Sequence, residues 1–206
     1  MRPNECVSCV DFKCTDVNHS NYIVPYVEVK PQSIAIIMIA EAAPVSPNDY
    51  FYAPGNPLFA QTSVLAFNDA GAKVRSMNDI LDMGVYLTTA VKCGKTGYGI
   101  KAKSIEICSH ILEKELALFP NVKVIMLMGD AAIRSANYIS KRLGEGRAIP
   151  AGPTYKTRCG KHFFRGMRAF PSYTHAGPSF FIEKSKRKMI AQDIGDALSI
   201  VAQSGS

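Results

Sequence analysis

Three uninterrupted apolar runs, residues 34–40 (IAIIMIA), 85–91 (VYLTTAV) and 122–128 (VKVIMLM), constrain the fold more than anything else in the chain. None alternates apolar with polar residues as a half-exposed strand does, so each reads as a strand covered on both faces, the pattern of a parallel sheet. A weaker run at 167–173 (MRAFPSY) supplies a fourth strand, with Pro171 at its end or edge. Helical periodicity fills the gaps at 62–70, 77–83, 103–119, 131–143 and 183–201; the third carries apolar residues at Ile107, Ile111, Leu112, Leu116 and Phe119. Strands alternating with helices predict an α/β fold, a three-layer α/β/α sandwich around a central, mostly parallel four-stranded sheet. The length of 206 residues suits one domain over residues 1–203, with 204–206 (SGS) reading as a flexible tail or an expression remnant.

Cysteine usage adds a second constraint. Cys6 and Cys9 form a CVSC motif, and Cys93 and Cys108 follow about eighty residues later; Cys14 and Cys159 lie outside this pattern. No secretory signal precedes the motif, and no apolar run reaches the roughly 18 residues of a membrane span. A cytoplasmic chain without membrane association is therefore expected, where structural disulfides seldom persist and paired thiols read as metal ligands. By residue type a [4Fe–4S] cluster and tetrahedral zinc suit four thiolates equally, and buried free thiols are the plainer alternative.

The formal net charge is +7, and the excess is concentrated: residues 141–188 hold twelve Lys/Arg against Glu145 and Glu183. A surface biased in this way attracts a polyanion, most commonly nucleic acid. A solvated basic face is the alternative. Ligand sites in open parallel sheets lie beyond the strand C-termini. The long loop 44–59 (PVSPNDYFYAPGNPLF) follows the first strand into that place.

Four blocks in order, CVSC, IAEAAP, TTAVKC with Cys108 following, and PSYTHAGP, together resemble the uracil-DNA glycosylase superfamily, most closely its iron–sulfur branch, family 4. The segment IMLMGDAAIRSA is similar to the family's strand and helix start. The resemblance implies a monomeric, monofunctional DNA glycosylase that flips a uracil or other modified base out of DNA and hydrolyses its N-glycosidic bond, in repair or in defence against modified DNA. It implies a [4Fe–4S] cluster on Cys6, Cys9, Cys93 and Cys108, favoured over zinc. His175 becomes a hydrogen-bond donor to the departing base. Asp49 becomes the residue that positions the attacking water, with Glu41 and Asn48 beside it. Ala42, Tyr52, Phe59 and Thr89 would border the base. Phe180 and Phe181 become wedge candidates for the vacated stack, with Lys184, Lys186, Arg187 and Lys188 on phosphates. Where the family places an asparagine that reads uracil, this chain has Thr89, which implies a pocket reshaped for another base. A non-catalytic iron–sulfur module that binds nucleic acid is the competing expectation, and a zinc-stabilised α/β protein that binds nucleotides or a protein partner is a third.

Overall fold

The computed structural model describes residues 1–97 and 99–203; the tail expected at 204–206 lies outside the described residues. In chain order the elements are α1 (Pro3–Cys6), β1 (Val17–Asn18), β2 (Ile36–Ala43), α2 (Leu58–Asp69), α3 (Met77–Asp82), β3 (Val85–Lys95), α4 (Ala102–Leu116), β4 (Val124–Met128), α5 (Asp130–Arg142), α6 (Thr154–Thr157), β5 (His162–Phe164), β6 (Met167–Ser172), α7 (Ser179–Ile182) and α8 (Lys184–Gln203). The sheet has six strands in the order β1-β3-β2-β4-β6-β5 rather than the four expected. Its four inner strands β3, β2, β4 and β6 are parallel, and β1 and β5 add short antiparallel flanks. Sequence periodicity does not register β1 and β5, because two or three residues are too few to set a pattern.

Strand alternation divides the core. Ile36, Met38, Val85, Leu87, Val124 and Met126 face α2, α3 and α8 across one apolar cluster. Ile37, Ile39, Tyr86, Ala90, Ile125 and Leu127 face α4 and α5 across the other. Both faces are thus covered, which explains why the strand sequences are apolar throughout. Pro171 lies beyond the last β5 partner of β6, Ala169, where one side of the strand carries no neighbour and a missing N–H costs no ladder bond.

One buried ion pair departs from this apolar rule. Lys92 of β3 and Glu115 of α4 are both fully buried. The ammonium of Lys92 donates to Thr88 Oγ1 (2.8 Å), to the Thr89 carbonyl (2.6 Å) and to Glu115, so its three protons all have acceptors. The other Glu115 oxygen accepts from Tyr86 OH at 2.7 Å and from Thr88 Oγ1 at 2.9 Å. A charge left alone in such a place is strongly unfavourable, whereas a neutral pair of similar shape is tolerated. Lys92→Met alone is therefore expected to lower the free energy of urea unfolding by about 3–5 kcal/mol, and Lys92→Met combined with Glu115→Gln to recover most of that loss.

Candidate functional site

His175 lies on the loop after β6. The end of that strand is held by Asp193 of α8, which accepts from Ser172 Oγ at 2.5 Å and from Arg158 at 2.6 Å. The imidazole is completely buried. Its Nε2 lies 3.1 Å from Ser63 Oγ on α2, and its Nδ1 has no hydrogen-bond partner. Phe51 stacks on the ring at 5.9 Å between centroids with planes 19° apart, and Phe59 lies 5.1 Å from Phe51. Burial pulls the imidazole pKa down from 6.5 to about 4, so the ring is neutral at pH 7.

The loop after β2 brings part of the expected set to this place. Tyr50 and Phe51 are buried against the β2–β3 face, and the Tyr50 hydroxyl lies beside the Thr88 and Thr89 hydroxyls without meeting hydrogen-bond geometry with either. Thr89, opposite Ala40 in the ladder, is buried with its own hydroxyl unpartnered. Tyr52 runs along the edge of β3, where its hydroxyl accepts from the Leu87 N–H at 2.9 Å. Phe59 completes the wall, with Gly177 against its ring. Gly177 has φ +116°, a conformation that disfavours any side chain there.

Asp49 and Asn48 lie on the same loop, and Glu41 lies on β2. Asp49 Oδ1 is 3.5 Å from the Leu58 N–H, at the start of α2, and Asn48 is exposed on the same turn. Glu41 lies against Gly129 at the start of α5; a Cβ on Gly129 would come within 2.6 Å of Glu41 Cγ. A carboxylate there meets the positive end of the helix, and glycine with φ +111° is what admits it. Ala42 packs with Cys93 and Cys108 rather than with His175.

At the start of α8, Phe180 is buried in the core under the Arg187 guanidinium, while Phe181 and Ile182 are exposed. Lys186 pairs with Glu183 and Arg187 with Asp69. Lys184 and Lys188 are exposed, and among the described residues neither has an ion pair.

The second constellation is the cysteine centre. Cys6, Cys9, Cys14, Cys93 and Cys108 line one cavity of 510 Å³ together with His19. Cys93 and Cys108 are buried, Cys9 and Cys14 half-buried, and Cys6 and Cys159 exposed. His19 Nδ1 contacts Cys93 Sγ at 3.4 Å, and the Lys92 N–H donates to Cys108 Sγ at 3.2 Å. Burial first, and neighbouring thiols second, push the Cys93 thiol up to about 12. Burial also pushes Cys108 up to about 11. The N-terminal segment is docked here by Asp16, whose carboxylate accepts from the Lys101 N–H at 2.6 Å and from Ser104 Oγ. Among the described residues, no three His, Cys, Asp or Glu side chains gather closely enough to hold a single metal ion. No described helix is long and apolar enough to cross a membrane.

Sequence reasoning missed Ser63, Asp16 and the Lys92–Glu115 pair. A serine inside a helix and one acid in an N-terminal loop carry no pattern of their own. The depressed pKa of His175 has a measurable consequence. The unfolded chain takes up a proton below pH 6.5 that the folded chain takes up only near 4, so stability present above 6.5 is lost as pH falls through that window. Relative to His175→Gln, the native chain is expected to lose about 3 kcal/mol more between pH 7 and pH 4, read from urea midpoints.

A comparison with curated proteins finds no match. Among solved structures, the wild-type UNG crystal structure from Nitratifractor salsuginis is matched with 14% identity over 86% of this chain and 81% of that one, at a TM-score of 0.39. The family model described as the Uracil DNA glycosylase superfamily matches residues 50–193, well over half the chain. That span contains Thr89, Cys93, Cys108 and His175 and leaves Cys6, Cys9, Glu41, Asn48 and Asp49 outside. On this match the chain belongs to the uracil DNA glycosylase superfamily.

Proposed function

We propose that the chain is a monofunctional DNA glycosylase that hydrolyses the N-glycosidic bond of a flipped, modified base, with His175 as the group that meets the base. The observation that carries this reading is a neutral, fully buried imidazole with one unpartnered nitrogen, stacked on an aromatic loop inside a superfamily of DNA glycosylases. Bond cleavage leaves negative charge on the base, and a polar atom in a dry, apolar wall acts on that charge far more strongly than it would in water. Phe51 and Phe59 offer flat surfaces for a planar base, and the Thr89 hydroxyl, with Tyr50 beside it, faces the same wall. Asp49, at the mouth of α2, is the carboxylate for positioning water, and Asn48 is next to it. Glu41 lies against Gly129 at the start of α5. A hydroxyl at Thr89 donates or accepts by rotation and lacks the fixed edge of an amide, so we read the preferred base as one other than uracil alone.

DNA would approach past the exposed Phe181, the remaining wedge candidate, toward Lys184 and Lys188. The alternative, a nucleic-acid-binding module without catalysis, is favoured by the closure of Phe51 over His175.

We further propose that the chain belongs to the iron–sulfur branch and that Cys6, Cys9, Cys93 and Cys108 hold a [4Fe–4S] cluster. The donor set fits such a group: soft sulfur ligands from two distant segments line a single cavity. When bound, the cluster supplies a structural cross-link between the N-terminal segment and the β3–α4 unit.

A screen for abasic-site formation over duplexes with different modified bases tests the reading. Excision of at least one base, abolished by His175→Ala with DNA affinity retained, is expected; DNA binding without excision of any base would establish the non-catalytic alternative. Lys184→Ala with Lys188→Ala is expected to lower the salt slope of DNA binding by up to about 2, whereas Arg187→Ala acts mainly on stability through Asp69. Anaerobically purified protein is expected to contain iron and sulfide and to absorb near about 400 nm. A colourless preparation containing zinc would instead establish the zinc reading.

A further inference from the structure

The hydrogen bonds around Ser63 fix where the proton of His175 sits. Ser63 Oγ lies 2.6 Å from the Phe59 carbonyl, one helical turn back. A carbonyl can only accept, so the serine proton is committed to Phe59. Toward His175, 3.1 Å away, Ser63 can therefore only accept, and Nε2 must carry the imidazole proton. Nδ1 is then a bare acceptor, buried and without a partner. This is the wrong polarity for a departing base that carries negative charge, which requires a donor.

Ser63 also provides the way out. The Phe59 carbonyl is already the helical acceptor for the Ser63 N–H, so the hydroxyl can leave it without orphaning it. A hydroxyl rotated toward Nε2 would donate there and stabilise the tautomer with the proton on Nδ1.

We propose that Ser63 is the positioning residue that sets the His175 tautomer, holding Nε2–H in the free protein and supporting Nδ1–H when a base is bound. The inference rests on the reading of His175 as the group that meets the base. The change is a tautomerisation: Nε2 releases its proton to water, Nδ1 takes one up from water, and the ring stays neutral throughout. One proton remains on the imidazole and one on the serine, before and after. Ser63 itself does not touch the base.

The test compares the native chain with Ser63→Ala, using ¹⁵N shifts of the imidazole nitrogens and single-turnover excision. The chain has four histidines, and His175→Gln identifies the resonances of His175. The native protein is expected to show the Nε2–H form, and Ser63→Ala a mixture of both tautomers. Excision is expected to fall by about tenfold or more in Ser63→Ala, with DNA affinity unchanged. The same single tautomer in both proteins overturns the proposal, and so does an altered tautomer with native excision rates. Should the native chain excise no base, the glycosylase reading falls and the tautomer comparison alone decides what Ser63 does in the free protein.

Discussion

The buried contact between Lys92 and Glu115 fixes the relation on which both candidate sites depend. Glu115 lies two turns beyond Cys108 on α4, and Lys92 lies between Thr89 and Cys93 on β3. The pair therefore sets how strand and helix register, and with it how the two thiols face each other. Its hydrogen bonds to Thr88 and Thr89 also tie down the stretch of strand that faces Tyr50. Charges taken out of water cost several kcal/mol each, and only the complete set of partners makes the arrangement tolerable.

Strand alternation then separates the two chemistries. Val85 and Leu87 point toward the cluster that holds the aromatic loop, whereas Tyr86 points toward α4, where its hydroxyl and that of Thr88 donate to Glu115. Farther along, the strand extends past its β2 partner through a shift in register after Ala42, and reaches Cys93 in the thiol cavity. One eleven-residue strand thus borders both the aromatic loop and the cysteine cavity. The N-terminal segment reaches that centre through the carboxylate of Asp16 and the short pairing of Val17 with Lys95, contacts that involve protein atoms alone.

Much of this was legible in the sequence because it is periodic. The apolar runs became β2, β3 and β4, the weaker run became β6, and the helices fell close to the predicted spans, since each pattern reports burial on known faces. The CVSC cysteines line one cavity with Cys93 and Cys108, and the loop after β2 stacks Phe51 on His175. What was not legible depends on contacts between distant residues. Nothing local announces that Glu41 packs on Gly129, that Phe180 is buried while Phe181 is exposed, or that two of the four basic residues at the start of α8 are neutralised by Asp69 and Glu183. The polarity of His175 was equally hidden, because it is set by a serine 112 positions away.

The two flanking strands, β1 with two residues and β5 with three, shape how copies of this chain meet. β1 pairs only with Gly94 and Lys95, and along the rest of that border the β3 backbone is met by side chains and loop: the Tyr52 hydroxyl at the Leu87 N–H, the Lys92 ammonium at the Thr89 carbonyl and the Ile23 N–H at the Lys92 carbonyl. A long bare border would serve as a template for strand addition and hence for fibrous assembly. With this border occupied by side chains and loop, a strongly apolar sheet presents less of such a template.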